Sequence, residues 1–179
     1  MARDYKLFIK AYDLVDVVYF TDKGRNPRQA IVDLIPQGAS KVFEMGSGTM
    51  SNAIRIAQAR PQAEVVGMDS SEVMVAGSRE KLSGLDLPNV TLLEGDATRT
   101  DFEDGSFDYV IISLILHEAS DELTRGLLAE ARRLLKPAGR LIVLEWEEPT
   151  GFGKQLLFAF IRLLEDKQTV TAYQSPLVP

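Results

Sequence analysis

The sequence predicts an α/β protein built on an open, doubly wound, mostly parallel sheet with helices on both faces. Three observations carry that expectation. Apolar strand-type runs alternate with helix-period runs from residue 41 to 146, the pattern of βαβ units wound right-handed. Three of the strand-type runs end at an acid: Glu44, Asp69 and Asp96. Gly46 and Gly48 follow the first acid and lead into helical sequence. Strand, glycine turn and helix in that order set backbone N–H groups at a helix N-terminus beside the carboxyl edge of a sheet.

Composition bounds the function. At 179 residues the chain is long enough for one real core, and 45% hydrophobic with 26% charged residues is ordinary for a soluble domain. A net charge of −6 gives no general attraction to phosphate backbones, so nucleic acid is not an expected partner. The absence of cysteine excludes disulfides, thiolate metal sites and cysteine nucleophiles, and a single histidine excludes histidine-rich metal sites, so no metal is expected. The N-terminus has no signal-type apolar region, and no apolar run approaches the roughly 18 residues of a membrane span. No integral membrane segment and a cytoplasmic location are therefore expected.

Taken in order, residues 5–20 are aromatic and aliphatic, with the spacing of an amphipathic helix lying on a core. A packing lid is the plainer reading; a flap touching a ligand through Tyr12 or Tyr19 is the alternative. Asn26-Pro27 opens the next helix, with Asn as cap, Pro at the first helical position and Gln29 where a capping-box partner would sit. Ala30, Ile31, Leu34 and Ile35 form its expected buried face. The first strand spans 42–45. The helix after the glycines runs over about 50–60, with Ala53, Ile54 and Ala57 toward the sheet and Pro61 closing it. A second strand covers 64–69, and Ser70 or Ser71 caps a helix reaching about residue 83. The third strand covers 89–96. Residues 107–113 are nearly continuous in apolar residues, as a central parallel strand should be. Ser120-Asp121-Glu122 opens a helix whose acids suit the positive end of its dipole, with a stripe of Leu123, Leu127, Leu128, Ala131, Leu134 and Leu135. Pro137-Ala138-Gly139 stops it before a fifth strand at 140–146. A last amphipathic run covers 155–164, and 169–179 carries no clear element. The organisation expected is an N-terminal helical lid over 1–38, a ligand-binding core over 39–149 and a C-terminal helix and tail over 150–179.

In open α/β sheets the ligand lies across the carboxyl ends of the strands. An acid after the second strand suits the two hydroxyls of a ribose. An acid ending the first strand suits an ammonium, and Asp96 followed by small Ala97 suits an exocyclic amine beside a flat ring. Together they describe a ligand with an amino group, a ribose and an adenine, and little phosphate. Any one strand-end acid is more often a cap or a solvated group; three in succession, one fused to a Gly-x-Gly turn, are harder to reach by accident. A dinucleotide site would ask for Gly-x-Gly-x-x-Gly, and the third position here is Ser51. Tyr19 alone has a lysine four residues on, Lys23, so the Tyr-x-x-x-Lys spacing of short-chain dehydrogenases occurs once, ahead of the first strand, and at none of the other four tyrosines.

These residues resemble a known family. Glu44-Met45-Gly46-Ser47-Gly48-Thr49 resembles the first motif of class I S-adenosylmethionine-dependent methyltransferases. Met68-Asp69 resembles the family's second-strand acid, Gly95-Asp96-Ala97 its adenine-facing segment, and residues 107–113 its fourth-strand motif. Residues 135–141 resemble the loop before its fifth strand. The segment Tyr12-Asp13-Leu14-Val15-Asp16 looks similar to the quinone-biosynthesis type. The resemblance covers roughly residues 40–146 and implies a Rossmann-like methyltransferase fold, with S-adenosylmethionine as cofactor, S-adenosylhomocysteine as product and a small-molecule methyl acceptor. It implies that Gly46, Ser47 and Gly48 pass beneath the methionine part, with Glu44 near its ammonium. Asp69 would take the ribose hydroxyls, and Met68 and Ser70 would flank the ring. Asp96 and Ala97 would meet the adenine, and Ser113 and Leu114 would lie next to the reactive methyl. His117 is the one candidate base, with helix entry or packing as its plainer role; Glu145 and Glu147 could also face the acceptor. Two features depart from the family pattern. Met50 stands where a third glycine is usual, and strands six and seven have no evident counterpart. An uncovered sheet edge would favour self-association, so a homodimer is expected. A non-catalytic cofactor-binding or scaffold protein on the same fold is the first alternative, and an NAD-dependent oxidoreductase the second.

Overall fold

The structure, a computed structural model, describes residues 26–145. The expected lid over 5–20 with Tyr12 and Tyr19, the acid Glu147, the run 155–164 and the tail all lie outside the described residues. Helix α1 (Pro27–Leu34) starts as its sequence dictates: the Asn26 side chain accepts from the Arg28 N–H at 3.0 Å and Pro27 takes the first helical position. Gln29 makes no capping box; it reaches along the helix and donates to Asp33 at 2.9 Å, the neighbour four residues on. The buried face is Ile31, Val32 and Ile35, while Ala30 and Leu34 are exposed. The stripe is rotated toward Val32 because α1 packs on the next helix, α2 (Ser51–Ala59), as well as over the sheet.

Strands β1 (Lys41–Met45), β2 (Glu64–Asp69), β3 (Val90–Glu94), β4 (Phe107–Ser113) and β5 (Leu135–Leu144) form one parallel sheet in the order β3-β2-β1-β4-β5. The chain lays down β1 in the middle, walks outward to β3, then crosses back to β4. The reversal between β1 and β4 opens a crevice at their carboxyl ends. Helix α3 (Glu72–Ser83) is capped by the Ser71 hydroxyl, and α4 (Asp121–Leu134) by that of Ser120.

Each face of the sheet has its own core. On one, Val42, Val65 and Ile111 pack with Ile31 and Ile35 of α1 and Ala53, Ile56 and Ala57 of α2. On the other, Phe43 stacks on Phe107 with ring centroids 5.2 Å apart and meets Phe102 edge-on at 5.4 Å, under Leu127, Ala131 and Leu134 of α4. The α4 seam differs from the expected leucine stripe: Leu123 and Leu128 are substantially exposed, and Glu130 is buried in their stead. Its carboxylate accepts from the Thr100 N–H and hydroxyl at 2.8 and 2.7 Å and pairs with Arg133, whose hydrogen bonds hold it down at about 2. Pro137-Ala138-Gly139 also differs from the expected loop. It is carried within β5 as an irregularity, with Phe107 opposite Leu135 and Tyr109 already opposite Arg140.

Met50 caps α2 in the left-handed conformation, φ +60°, fully buried. Its thioether occupies the space above Gly67 of β2, where a Cβ would lie 2.2 Å from the sulfur. The side chain therefore points into the core and takes no part in lining the crevice. Among the described residues, no helix is long and apolar enough to cross a membrane.

Candidate functional site

The crevice at the β1/β4 switch holds a cavity of about 420 Å³, within the roughly 300–1,000 Å³ of small-molecule sites. Its floor is the turn after β1. Gly46 and Gly48 have φ of +63° and +50°, a region that side chains resist. A Cβ on Gly46 would lie 2.3 Å from the Ile115 Cδ1, so a side chain there would have to displace Ile115 in addition to bearing the strain of the positive φ. The turn is also pinned from outside. The Ser47 N–H donates to the Met68 carbonyl at 2.9 Å, and the Ser78 hydroxyl of α3 donates to the Gly48 carbonyl at 2.8 Å.

Asp69, at the end of β2, accepts from the Gly48 N–H at 2.7 Å through one oxygen and from the Ser71 N–H at 2.9 Å through the other. A carboxylate has about four acceptor positions, so hydroxyls of a bound ligand can still be taken. Asp96, after β3, is exposed on the rim, and hydrogen bonds from the Thr98 hydroxyl and N–H hold its carboxyl below the usual range. Ala97 lies beside it. Leu123 and Leu127, one helical turn apart on α4, and Met74 of α3 add apolar surface to the cavity wall.

Glu44 is the unusual group. It is 2% exposed, its carboxyl accepting from Asn52 Nδ2 at 2.6 Å and from the Ala53 N–H at 3.2 Å. Burial pushes it up to about 7, against the lowering effects of the Asn52 hydrogen bond, the Arg28 charge and the Ala53 N–H, with Asp69 adding to the rise. Arg28 in turn donates to Asn52 Oδ1 at 2.6 Å. Arg28, Asn52 and Glu44 thus form one chain of hydrogen bonds along the cavity wall, a cation at one end and a carboxyl close to neutrality at the other.

The β4 side supplies Ser113, Leu114, Ile115 and Glu118. Leu114 is left-handed at φ +59°. The hydroxyls of Ser47 and Ser113 are both buried against the cavity and have no hydrogen-bond partner among the described residues. Two buried hydroxyls left open at the ends of neighbouring strands, one after β1 and one at the end of β4, mark a space shaped for a polar ligand.

Most of the residues singled out in the sequence meet at this cavity: Glu44, Gly46, Ser47, Gly48, Asp69, Ser70, Asp96, Ala97, Ser113 and Leu114 all line it. Met68 does not. It is buried in the core on the α4 side of the sheet and covers Gly95, since neighbours along a strand point to opposite faces. His117 is not on the cavity wall either; its Nδ1 lies 2.9 Å from Glu145 Oε2, while the next residue, Glu118, lines the cavity. Arg28, Asn52, Met74 and Glu118 were not singled out in the sequence. An arginine two residues past the cap of α1 and an asparagine two residues past the cap of α2 become visible only when α1 and α2 pack side by side.

Comparison with known proteins agrees with this architecture. Residues 42–139 match the family model of a methyltransferase domain. The demethylmenaquinone methyltransferase of Bacillus cereus (strain ATCC 10987 / NRS 248) is 37% identical over 155 residues, covering 84% of this chain and 64% of its own length. That of Geobacillus kaustophilus (strain HTA426) is 37% identical over 130 residues, covering 72% and 55%. The chain thus spans less than two thirds of the length of these curated relatives. The crystal structure of a SAM-dependent methyltransferase from Aquifex aeolicus matches with a TM-score of 0.66 at 24% identity, over 80% of this chain and 75% of that one, a likeness of fold. With the family model matching more than half of its length, on this sheet order and this glycine turn, the chain belongs to the class I S-adenosylmethionine-dependent methyltransferase family.

Proposed function

We propose that the chain binds S-adenosylmethionine in the β1/β4 cavity and transfers its methyl group to a small, apolar acceptor of quinone type, leaving S-adenosylhomocysteine. The observation that carries this reading is the cavity's pattern of groups: Glu44 and Arg28 at one end, Asp69 in the middle, Asp96 with Ala97 at the other. That order matches a zwitterionic amino acid, a ribose and an adenine. The unpartnered hydroxyls of Ser47 and Ser113 fit a polar guest better than a void. The demethylmenaquinone methyltransferase relatives support the acceptor class.

The bound cofactor supplies a sulfonium methyl, already a good electrophile. What remains for the protein is alignment and exclusion of water. In this reading Gly46 and Gly48 let the backbone approach the amino-acid part, Glu44 neutralises its ammonium and Arg28 its carboxylate. Asp69, with Ser70 beside it, takes the ribose. Leu123, Leu127 and Ala97 enclose the adenine beside Asp96. Ser113, Leu114, Ile115 and Glu118 form the wall next to the acceptor. A base is needed only if the acceptor must lose a proton, and His117, held by Glu145, keeps that place in the proposal.

The reading also carries a cytoplasmic location, supported by the absence of cysteine. It carries a homodimer, supported by Leu141 and Val143, 37% and 46% exposed on β5; a monomeric mass by light scattering counts against that assembly. The function is tested by incubating the chain with methyl-labelled S-adenosylmethionine and a demethylated naphthoquinone. Label in the quinone is the expected result, and binding of the cofactor with no transfer favours a non-catalytic binding protein.

A further inference from the structure

The last described residue, Glu145, sits just past the end of β5 and spends its whole carboxylate on a neighbouring turn. One oxygen accepts from the N–H groups of Ile115 at 3.0 Å and Leu116 at 2.8 Å. The other meets His117 Nδ1 at 2.9 Å. We propose that Glu145 is a positioning residue for methyl transfer, locking the turn that leaves β4 and with it the acceptor-side wall of the cavity and the ring of His117. This rests on the function proposed above.

Three further observations support the assignment. Leu114 is held at φ +59°, a conformation that costs a side-chain-bearing residue and persists only where its surroundings impose it. The Leu114 N–H donates to the Leu144 carbonyl at 2.8 Å, so β5 grips the turn through its backbone as well as through Glu145. The gripped residues face the chemistry: Leu114, Ile115 and Glu118 line the cavity, and the Ile115 side chain packs directly over Gly46, its Cδ1 2.3 Å from where a Cβ would lie. The N–H groups of Glu118 and Ala119 both donate to the Ile115 carbonyl, at 3.1 and 3.0 Å. The turn therefore moves as one piece, and Glu145 connects its place to the glycine floor.

The His117 contact has a chemical consequence. An ionised carboxylate only accepts, so it fixes the proton of the neutral ring on Nδ1 and makes Nε2 the accepting nitrogen. Burial works against the charge of Glu145, but hydrogen bonds from His117, Leu116 and Ile115 outweigh it and hold the carboxyl below its usual range.

His117 is the chain's single histidine, so its ring nitrogens can be read by ¹⁵N NMR with no ambiguity of assignment. The full chain is compared with Glu145→Ala and Glu145→Gln in three measurements: ring nitrogen shifts, S-adenosylhomocysteine affinity by calorimetry, and methyl transfer to a demethylated naphthoquinone. The wild-type ring should show the Nδ1–H tautomer. Glu145→Ala should move the ring toward the Nε2–H form of free imidazole, leave product affinity within about threefold, and lower kcat by about 10–100-fold. Glu145→Gln, which keeps one accepting oxygen, should recover part of the loss. Unchanged ring shifts in Glu145→Ala overturn the proposal, as does product affinity falling in step with kcat. If the wild-type chain binds the product but methylates no quinone, the proposed acceptor fails, and the ring shifts still decide the role of Glu145.

Discussion

The carboxylate of Asp69 accepts a 2.7 Å hydrogen bond from the N–H of Gly48, tying the end of β2 to the glycine turn after β1. Its other oxygen receives the Ser71 N–H at the entry to α3. One residue thus holds both backbone segments that border the proposed ribose position. Charge-assisted hydrogen bonds of this kind are worth roughly 1.5–3 kcal/mol each. Asp69→Ala should therefore weaken S-adenosylhomocysteine binding by about 100-fold or more in a calorimetric titration. His117→Ala, off the cavity wall, should leave that affinity nearly unchanged. Normal affinity in Asp69→Ala would sink the placement of the ribose.

Glu44 gives the site a pH dependence. Burial raises its pKa from 4.5 to about 7, so the folded state binds the proton more tightly than the unfolded chain. The stabilisation from the protonated form is fully present below about pH 4.5 and is lost as pH rises through 7. A ligand ammonium favours the ionised carboxylate. S-Adenosylhomocysteine affinity should consequently rise between pH 6 and 8, with proton release seen as a binding enthalpy that depends on the buffer. Glu44→Gln should bind more weakly at pH 8 and lose both effects. A pH-independent wild-type affinity with no proton release would contradict this account of Glu44.

Arg28 can be tested by trimming the ligand. Arg28→Ala should lose about 10-fold or more in affinity for S-adenosylhomocysteine, because a charged hydrogen bond to its carboxylate is gone. It should bind 5′-methylthioadenosine, which lacks the amino-acid part, as the wild type does. Equal losses for both ligands would mean that Arg28 acts only through the packing of α1.

Met50 and Gly67 are a coupled pair. A Cβ on Gly67 would fall 2.2 Å from the Met50 sulfur and 2.9 Å from the Ser47 Cβ. Gly67→Ala should destabilise by about 1–3 kcal/mol, as overpacking does. Met50→Gly removes the left-handed strain but opens a cavity in the core. In that background Gly67→Ala should cost much less, and a urea-melting double-mutant cycle should give a clear coupling energy. Additive effects would contradict the packing described here.

The strand and turn grammar of this fold is legible in its residues. The apolar run of β4 gives its limits at Phe107 and Ser113, and the strand-end acids lead to the cavity because parallel strands deliver their last residues to one edge. What is less legible is what helices bring in. Arg28 and Asn52 sit on faces whose direction depends on how α1 meets α2, and Glu130 enters the α4 seam because Thr100 and Arg133 meet it there. The direction of Met68 was available from strand alternation alone, given that Asp69 faces the ligand side. Glu118 rather than His117 lines the cavity, while His117 meets Glu145 28 positions along the chain, a contact that no local pattern encodes.

The most direct test is a calorimetric titration of the purified chain with S-adenosylmethionine, with NAD as control. The account predicts binding of S-adenosylmethionine with a micromolar dissociation constant and none of NAD. Binding of NAD alone, or of neither, would contradict it.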